Sequence, residues 1–173
     1  MKKRSVTSDA LSPPERIYFT DRDLGKQVPL ILHGAGMRVE TYASRFSNPK
    51  EPDSEWLAIV SQAGLITLSH DRKFLWDPLA KRAVMENGGR VFILRGQCSH
   101  ALLGEMVVRA RNRMEKIIAK QSEPFIAVVR RVMTDKDPTR IEIDVKLTRA
   151  MWLAGYSGEP DPDDEPELPL ADK

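Results

Sequence analysis

Cysteine occurs once in these 173 residues, at Cys98. A single thiol excludes an internal disulfide framework and suits a reducing cytoplasm. Long apolar runs are missing as well. None approaches the roughly 20 residues of a membrane span, and the basic start MKKRSVTSDALSPPER has no apolar segment of the secretory type. The expectation is a cytoplasmic protein with no membrane partner. Histidine is scarce: His33, His70 and His100 show no metal-ligand spacing. His33 reads as a helix-end residue, and His70, beside Asp71, as a candidate substrate contact. No His–Cys pair can be argued, so Cys98 reads as a small, partly buried residue rather than a nucleophile. Trp56, Trp76 and Trp152 are too few for a base-stacking platform, and Trp56 reads as core. No internal repeat is visible.

Charge, by contrast, is plentiful and unevenly placed. The formal net charge of +2 combines +8 over residues 1–150 with −6 over residues 151–173. A basic folded part suits a polyanion-binding protein. The stretch GEPDPDDEPELPLADK is rich in proline and acid, a composition expected to be disordered. It reads as a solubilising tail, or as a nucleic-acid mimic that folds back on the basic face.

Hydrophobic spacing predicts alternating strands and helices. Strands are expected at Ile17–Thr20, Met37–Tyr42, Leu65–Ser69 and Val91–Leu94. Helices are expected at Leu24–His33, Glu55–Ala63, Asp77–Asn87 and Ser99–Lys120. Gly34 and Gly64 serve as stop signals, and Pro78 fits a first helical turn. Trp56, Ile59 and Val60 are expected to point inward from the second helix. Residues 43–54 read as a loop. Phe125–Val132 and Arg140–Leu147 read as a closing β pair around the turn Thr134–Thr139. Such alternation implies a mostly parallel sheet with helices on both faces.

Three aspartates occupy the informative positions. Asp21 and Asp71 follow strands in IYFTDRDLG and LITLSHDRKF, where open α/β sheets bind ligands outside the carboxyl ends of their strands. Asp53 sits ahead of a helix, on a loop that can return to the same edge. Converging carboxylates make a site for a hard divalent cation, which activates water against a phosphodiester. Each acid also has a bland reading: Asp21 or Asp23 as a helix cap, Asp53 as an N-cap, Asp71 as a turn residue. Asp23 is taken as the cap and Asp21 as the functional acid. Arg95 and Ser99 follow the fourth strand at the same predicted edge and are candidate phosphate or metal-water contacts, where the helix N-terminus would add free N–H groups. Arg109, Arg113, Lys116 and Lys120 form a basic stripe that reads as a solvated face or as an RNA contact.

The segments IYFTDRDLGKQVP, GMRVETYASRF and PDSEWLAIVSQAGLITLSHDRKF resemble the PIN-like nuclease domains related to VapC toxins. The likeness continues through RVFILRGQCSHALLGEMV and PFIAVVRR, and so covers roughly Arg16 to Arg131. It implies a three-layer αβα sandwich with a mostly parallel sheet, plus the C-terminal β pair. The expected organisation is a flexible segment 1–15, a PIN-like domain 16–150 and an acidic tail 151–173. The resemblance further implies an endoribonuclease that uses Mg²⁺ or Mn²⁺, with Asp21, Asp53 and Asp71 as catalytic metal ligands. A cognate antitoxin, an RNA substrate and a homodimer are the implied partners. Glu55 is the better choice for a fourth acid, while Glu40 is expected to face solvent or pair with a surface base. The first motif reads Asp-Arg-Asp, whereas the family often carries a small hydroxyl residue close after the aspartate. Arg22 would then contact phosphate, or else neutralise the acids and weaken metal binding.

Two other classes stay open at this level. One is a non-catalytic nucleic-acid-binding or scaffold protein on the same fold. The other is a phosphoryl-accepting receiver-like domain, against which the lack of a clear lysine at the end of a late strand counts.

Overall fold

The computed structural model describes residues 15–156, apart from 123, 133–135 and 138. Six strands form one sheet in the order β2-β1-β3-β4-β5-β6: β1 Ile17–Thr20, β2 Arg38–Thr41, β3 Ile66–Ser69, β4 Arg90–Arg95, β5 Phe125–Val132 and β6 Arg140–Thr148. The first five run parallel, and β6 returns antiparallel to β5. The segment 1–14, most of the acidic tail and much of the β5–β6 turn lie outside the described residues.

Central strands buried on both faces need apolar residues at successive positions rather than in alternation. On β4, Phe92 and Leu94 pack into one core while Val91 and Ile93 pack into the other, and all four are fully buried. The first core lies beneath α1 (Gln27–Gly34) and α5 (His100–Lys120). The second lies beneath α3 (Asp53–Gln62) and α4 (Pro78–Glu86), where Phe19, Tyr42, Trp56 and Phe74 meet ring to ring. The result is the three-layer αβα sandwich implied by the resemblance.

Local chemistry sets most boundaries. Asp77 accepts from the Leu79 amide and Pro78 opens α4, while Ser99 accepts from the Leu102 amide to cap α5. On α5 an apolar stripe of Leu103, Met106, Ala110, Met114 and Ile118 is buried, while Ile117 is only half-buried. Several boundaries differ from the sequence reading. Leu24 belongs to a separate 3-10 turn, Arg22–Leu24, and α1 starts only at Gln27. Gly34 is the last residue of α1, and the left-handed residue after it is Gly36, at φ +74. A short helix α2 (Tyr42–Arg45), capped reciprocally by Thr41 and Ser44, occupies the start of the expected loop. Ile59 is 43% exposed, and Leu57 fills the core in its place. A last helix, α6 (Arg149–Leu153), falls partly in the segment read as tail, with Met151 and Trp152 packed on the second core. No helix among the described residues is long and apolar enough to cross a membrane.

This topology decides where a ligand belongs. From β1 the chain turns one way to β2, and β3 then lies on the opposite side of β1. The strand order therefore reverses at β1 and β3. Their carboxyl ends flank the crevice where open α/β sheets bind ligands, and Asp21 and Asp71 follow those two strands.

Candidate active site

Asp21 directly follows β1 and is still tied to the sheet, its amide donating to the Leu68 carbonyl of β3 at 3.0 Å. Its side chain is 4% exposed. Oδ1 accepts from the Arg22 amide at 2.6 Å and Oδ2 accepts from Ser69 Oγ at 2.8 Å. Burial, and then the neighbouring Asp23 carboxylate, push Asp21 from its ordinary 3.8 up to about 7, against the two hydrogen bonds that favour its charged form.

Asp23 was expected to cap a helix, but its carboxylate turns instead to the end of β3. Oδ2 accepts from the His70 amide at 2.9 Å and lies 3.3 Å from Ser69 Oγ. Oδ1 is buried with no hydrogen-bond partner among the described residues. Burial raises its pKa too, partly offset by the His70 amide. The capping role falls to Asp21, which opens the 3-10 turn. No local signal marked this role, because Asp23 lies inside the 3-10 turn and its donor is 47 residues away.

Ser69, fully buried, joins the two sides of the crevice. Its single hydroxyl proton goes to Asp21, the nearer carboxylate, and its oxygen accepts from the Asp71 amide at 3.0 Å. Asp71 is half-buried and turns its Oδ1 to the Lys73 amide at 2.8 Å, opening the 3-10 turn Arg72–Leu75. The His70 ring sets Nδ1 2.7 Å from the Leu94 carbonyl, an acceptor only, so Nδ1 carries the proton. That bond ties the end of β3 to β4.

Asp53 is the first residue of α3, with Pro52 in the cap position. Its Oδ1 accepts from Trp56 Nε1 at 2.9 Å and from Arg22 Nη2 at 2.8 Å. Arg22 also donates to the Pro49 and Glu51 carbonyls, packs over the Tyr42 ring and brings Nε to 4.0 Å from Asp21 Oδ1. The guanidinium therefore stands between Asp21 and Asp53.

Asp21, Asp53 and Asp71 thus lie on one crevice, linked through Arg22 and Ser69. Their carboxylates are not gathered: among the described residues no three Asp, Glu, His or Cys side chains stand close enough to hold a metal ion. Glu55 is exposed on α3, and the second acid beside Asp21 is Asp23. Glu40 pairs with Arg45 at 2.9 Å, as expected of a surface acid. Arg95 ends β4 half-buried, while Ser99 uses its oxygen as the α5 cap. Arg109, Arg113, Lys116 and Lys120 are exposed, with Arg113 also donating to the Ile141 carbonyl. Cys98 is exposed rather than partly buried.

A strand-end acid cluster at the switch point of a parallel sheet, in a three-layer sandwich, is the arrangement of a PIN-like domain. Residues 17–96 match the family model described as PIN like domain. The chain is also 31% identical over 121 residues to a Mycobacterium tuberculosis (strain ATCC 25618 / H37Rv) protein named Putative ribonuclease VapC45. That alignment spans 64% of this chain and 83% of the relative. No solved structure matches the chain at a significant level. The chain belongs to the PIN-like domain family and is related to VapC-type nucleases.

Proposed function

We propose that the protein is a divalent-metal-dependent endoribonuclease that hydrolyses RNA phosphodiester bonds, acting as the toxin of a toxin–antitoxin pair. The carrying observation is the pair of carboxylates at the β1–β3 crevice, buried Asp21 and half-buried Asp23, with the buried Oδ1 of Asp23 left without a partner among the described residues. Both acids have pKa values pushed upward although the Arg22 guanidinium lies 4.0 Å from Asp21, and their all-oxygen donor set suits Mg²⁺ or Mn²⁺. Asp21 and Asp23 would hold the ion, and Asp53 and Asp71, which do not stand gathered with them, would have to close on it. When bound, it would activate water and offset charge on the phosphoryl oxygens. Ser69 keeps the Asp21 carboxylate and the Asp71 backbone in register for that task. Arg95 and the basic face of α5 would meet the RNA backbone, consistent with the +8 charge of residues 1–150. The relative's printed name supports RNA as the substrate. A cognate antitoxin, a homodimer and a cytoplasmic location belong to the same reading.

A non-catalytic nucleic-acid-binding protein is the second reading. The hold of Arg22 on Asp53 and the ungathered acids favour it. RNA cleavage by purified protein with Mg²⁺ or Mn²⁺ decides between the two. The nuclease reading expects cleavage that disappears with EDTA and in Asp21→Asn, Asp23→Asn and Asp71→Asn. Cleavage that survives those substitutions, or none with any metal, overturns it.

A further inference from the structure

From its contacts we infer that Arg22 is the built-in counter-cation of the acid site, and that a divalent metal must displace its guanidinium from Asp53 to bind. This rests on the metal reading above and concerns how the site is controlled.

Arg22 directly follows Asp21 in the chain, yet its side chain reaches to residues 49–53. One nitrogen donates to the Pro49 carbonyl; another donates both to the Glu51 carbonyl at 3.2 Å and to Asp53 Oδ1 at 2.8 Å. The Tyr42 ring lies under the guanidinium, 4.8 Å from Cζ to the ring centroid. The carbonyls and the ring fix a positive group between two acids that the metal would share. A divalent ion and a guanidinium that compete for one carboxylate repel each other, so each weakens the other's hold.

The two carbonyls and the ring do not depend on Asp53. Released from that carboxylate, the side chain stays tethered at the rim of the crevice with a fork of N–H donors facing the site. A planar fork of that kind suits a phosphate oxygen of the substrate strand. Metal binding would thereby convert a neutralised arginine into a phosphate contact. By reciprocity, a bound phosphate would hold the arginine away from Asp53 and tighten the metal.

Mn²⁺ alone, titrated calorimetrically into the full-length protein, tests the competition without measuring cleavage. Arg22→Gln removes the charge and is expected to bind Mn²⁺ about fivefold more tightly than the wild type. Arg22→Lys keeps the charge and is expected to stay within about twofold of the wild type. In an Asp53→Asn background the Arg22→Gln gain should vanish, because the contested carboxylate is gone. Unchanged or weaker binding in Arg22→Gln, or equal weakening in Arg22→Gln and Arg22→Lys, overturns the inference and leaves Arg22 as a loop brace only, with the metal reading intact. No Mn²⁺ binding by any of these proteins overturns both.

Discussion

Replacing Asp21 with asparagine should stabilise the metal-free protein at alkaline pH while abolishing cleavage. The carboxyl is almost wholly buried and titrates at about 7 instead of 3.8, driven by burial and by Asp23. The folded state therefore keeps a proton that the unfolded chain releases near pH 4. That advantage is fully present below about pH 4 and is lost as pH rises through about 7. The gap corresponds to about 4 kcal/mol in total, of which about 2.5 kcal/mol falls between about pH 5 and about pH 8. Asparagine keeps an acceptor for the Arg22 amide and offers an N–H to Ser69 Oγ, so the fold loses little at this position. Urea denaturation in EDTA across that range should show wild-type stability falling with pH, and Asp21→Asn crossing above it with a flatter profile. Saturating Mn²⁺ should narrow the difference at alkaline pH, because a bound cation stabilises the ionised wild-type site. A wild-type stability in EDTA that is flat or rises with pH, or an Asp21→Asn profile with the same slope, would refute the reasoning.

Two further substitutions probe the supports of the site. Ser69→Ala leaves Asp21 Oδ2 and the Asp71 amide each short of a partner. It should cost about 1–3 kcal/mol in urea denaturation and slow cleavage by more than that loss of folded protein explains; unchanged stability and rate would remove Ser69 from the site. Gly25 has φ +60 and ψ −151, a conformation open almost only to glycine, and a Cβ there would come 2.9 Å from His100 Nδ1 at the start of α5. Gly25→Ala should lower stability by about 1–3 kcal/mol, read as a lower Tm, whereas an unshifted Tm would place no strain at this turn.

Much of the fold was legible because its signals are local. β1 was read at its observed limits, Ile17–Thr20, from a short apolar run closed by an acid. The Asp77–Asn87 reading, with Pro78 in the first turn, framed α4 to within a residue at each end. Where the reading slipped, distant contacts had overridden a local pattern. Leu24 fits the α1 spacing, yet the chain pauses at Gly25 so that Asp23 can reach β3. The Ile59 position satisfies helical periodicity but falls on the exposed side of α3, and Leu57 takes the core place. Asp23 looked like a cap because a cap is the local use of an aspartate; its actual donor is the His70 amide, 47 residues away.

The sequence by itself determined the strand–helix alternation, the acids at the ends of β1 and β3 and the basic character of residues 1–150. Each follows from composition or from a period of 2 or 3.6 residues. Only the tertiary structure decided which acids share a space. The order β2-β1-β3-β4 brings Asp21 to Ser69 across 48 residues, and the packing of α3 brings Asp53 to Arg22 across 31. Burial, hydrogen-bond partners and raised pKa values arise from that meeting, because they depend on what surrounds a group and not on its neighbours along the chain.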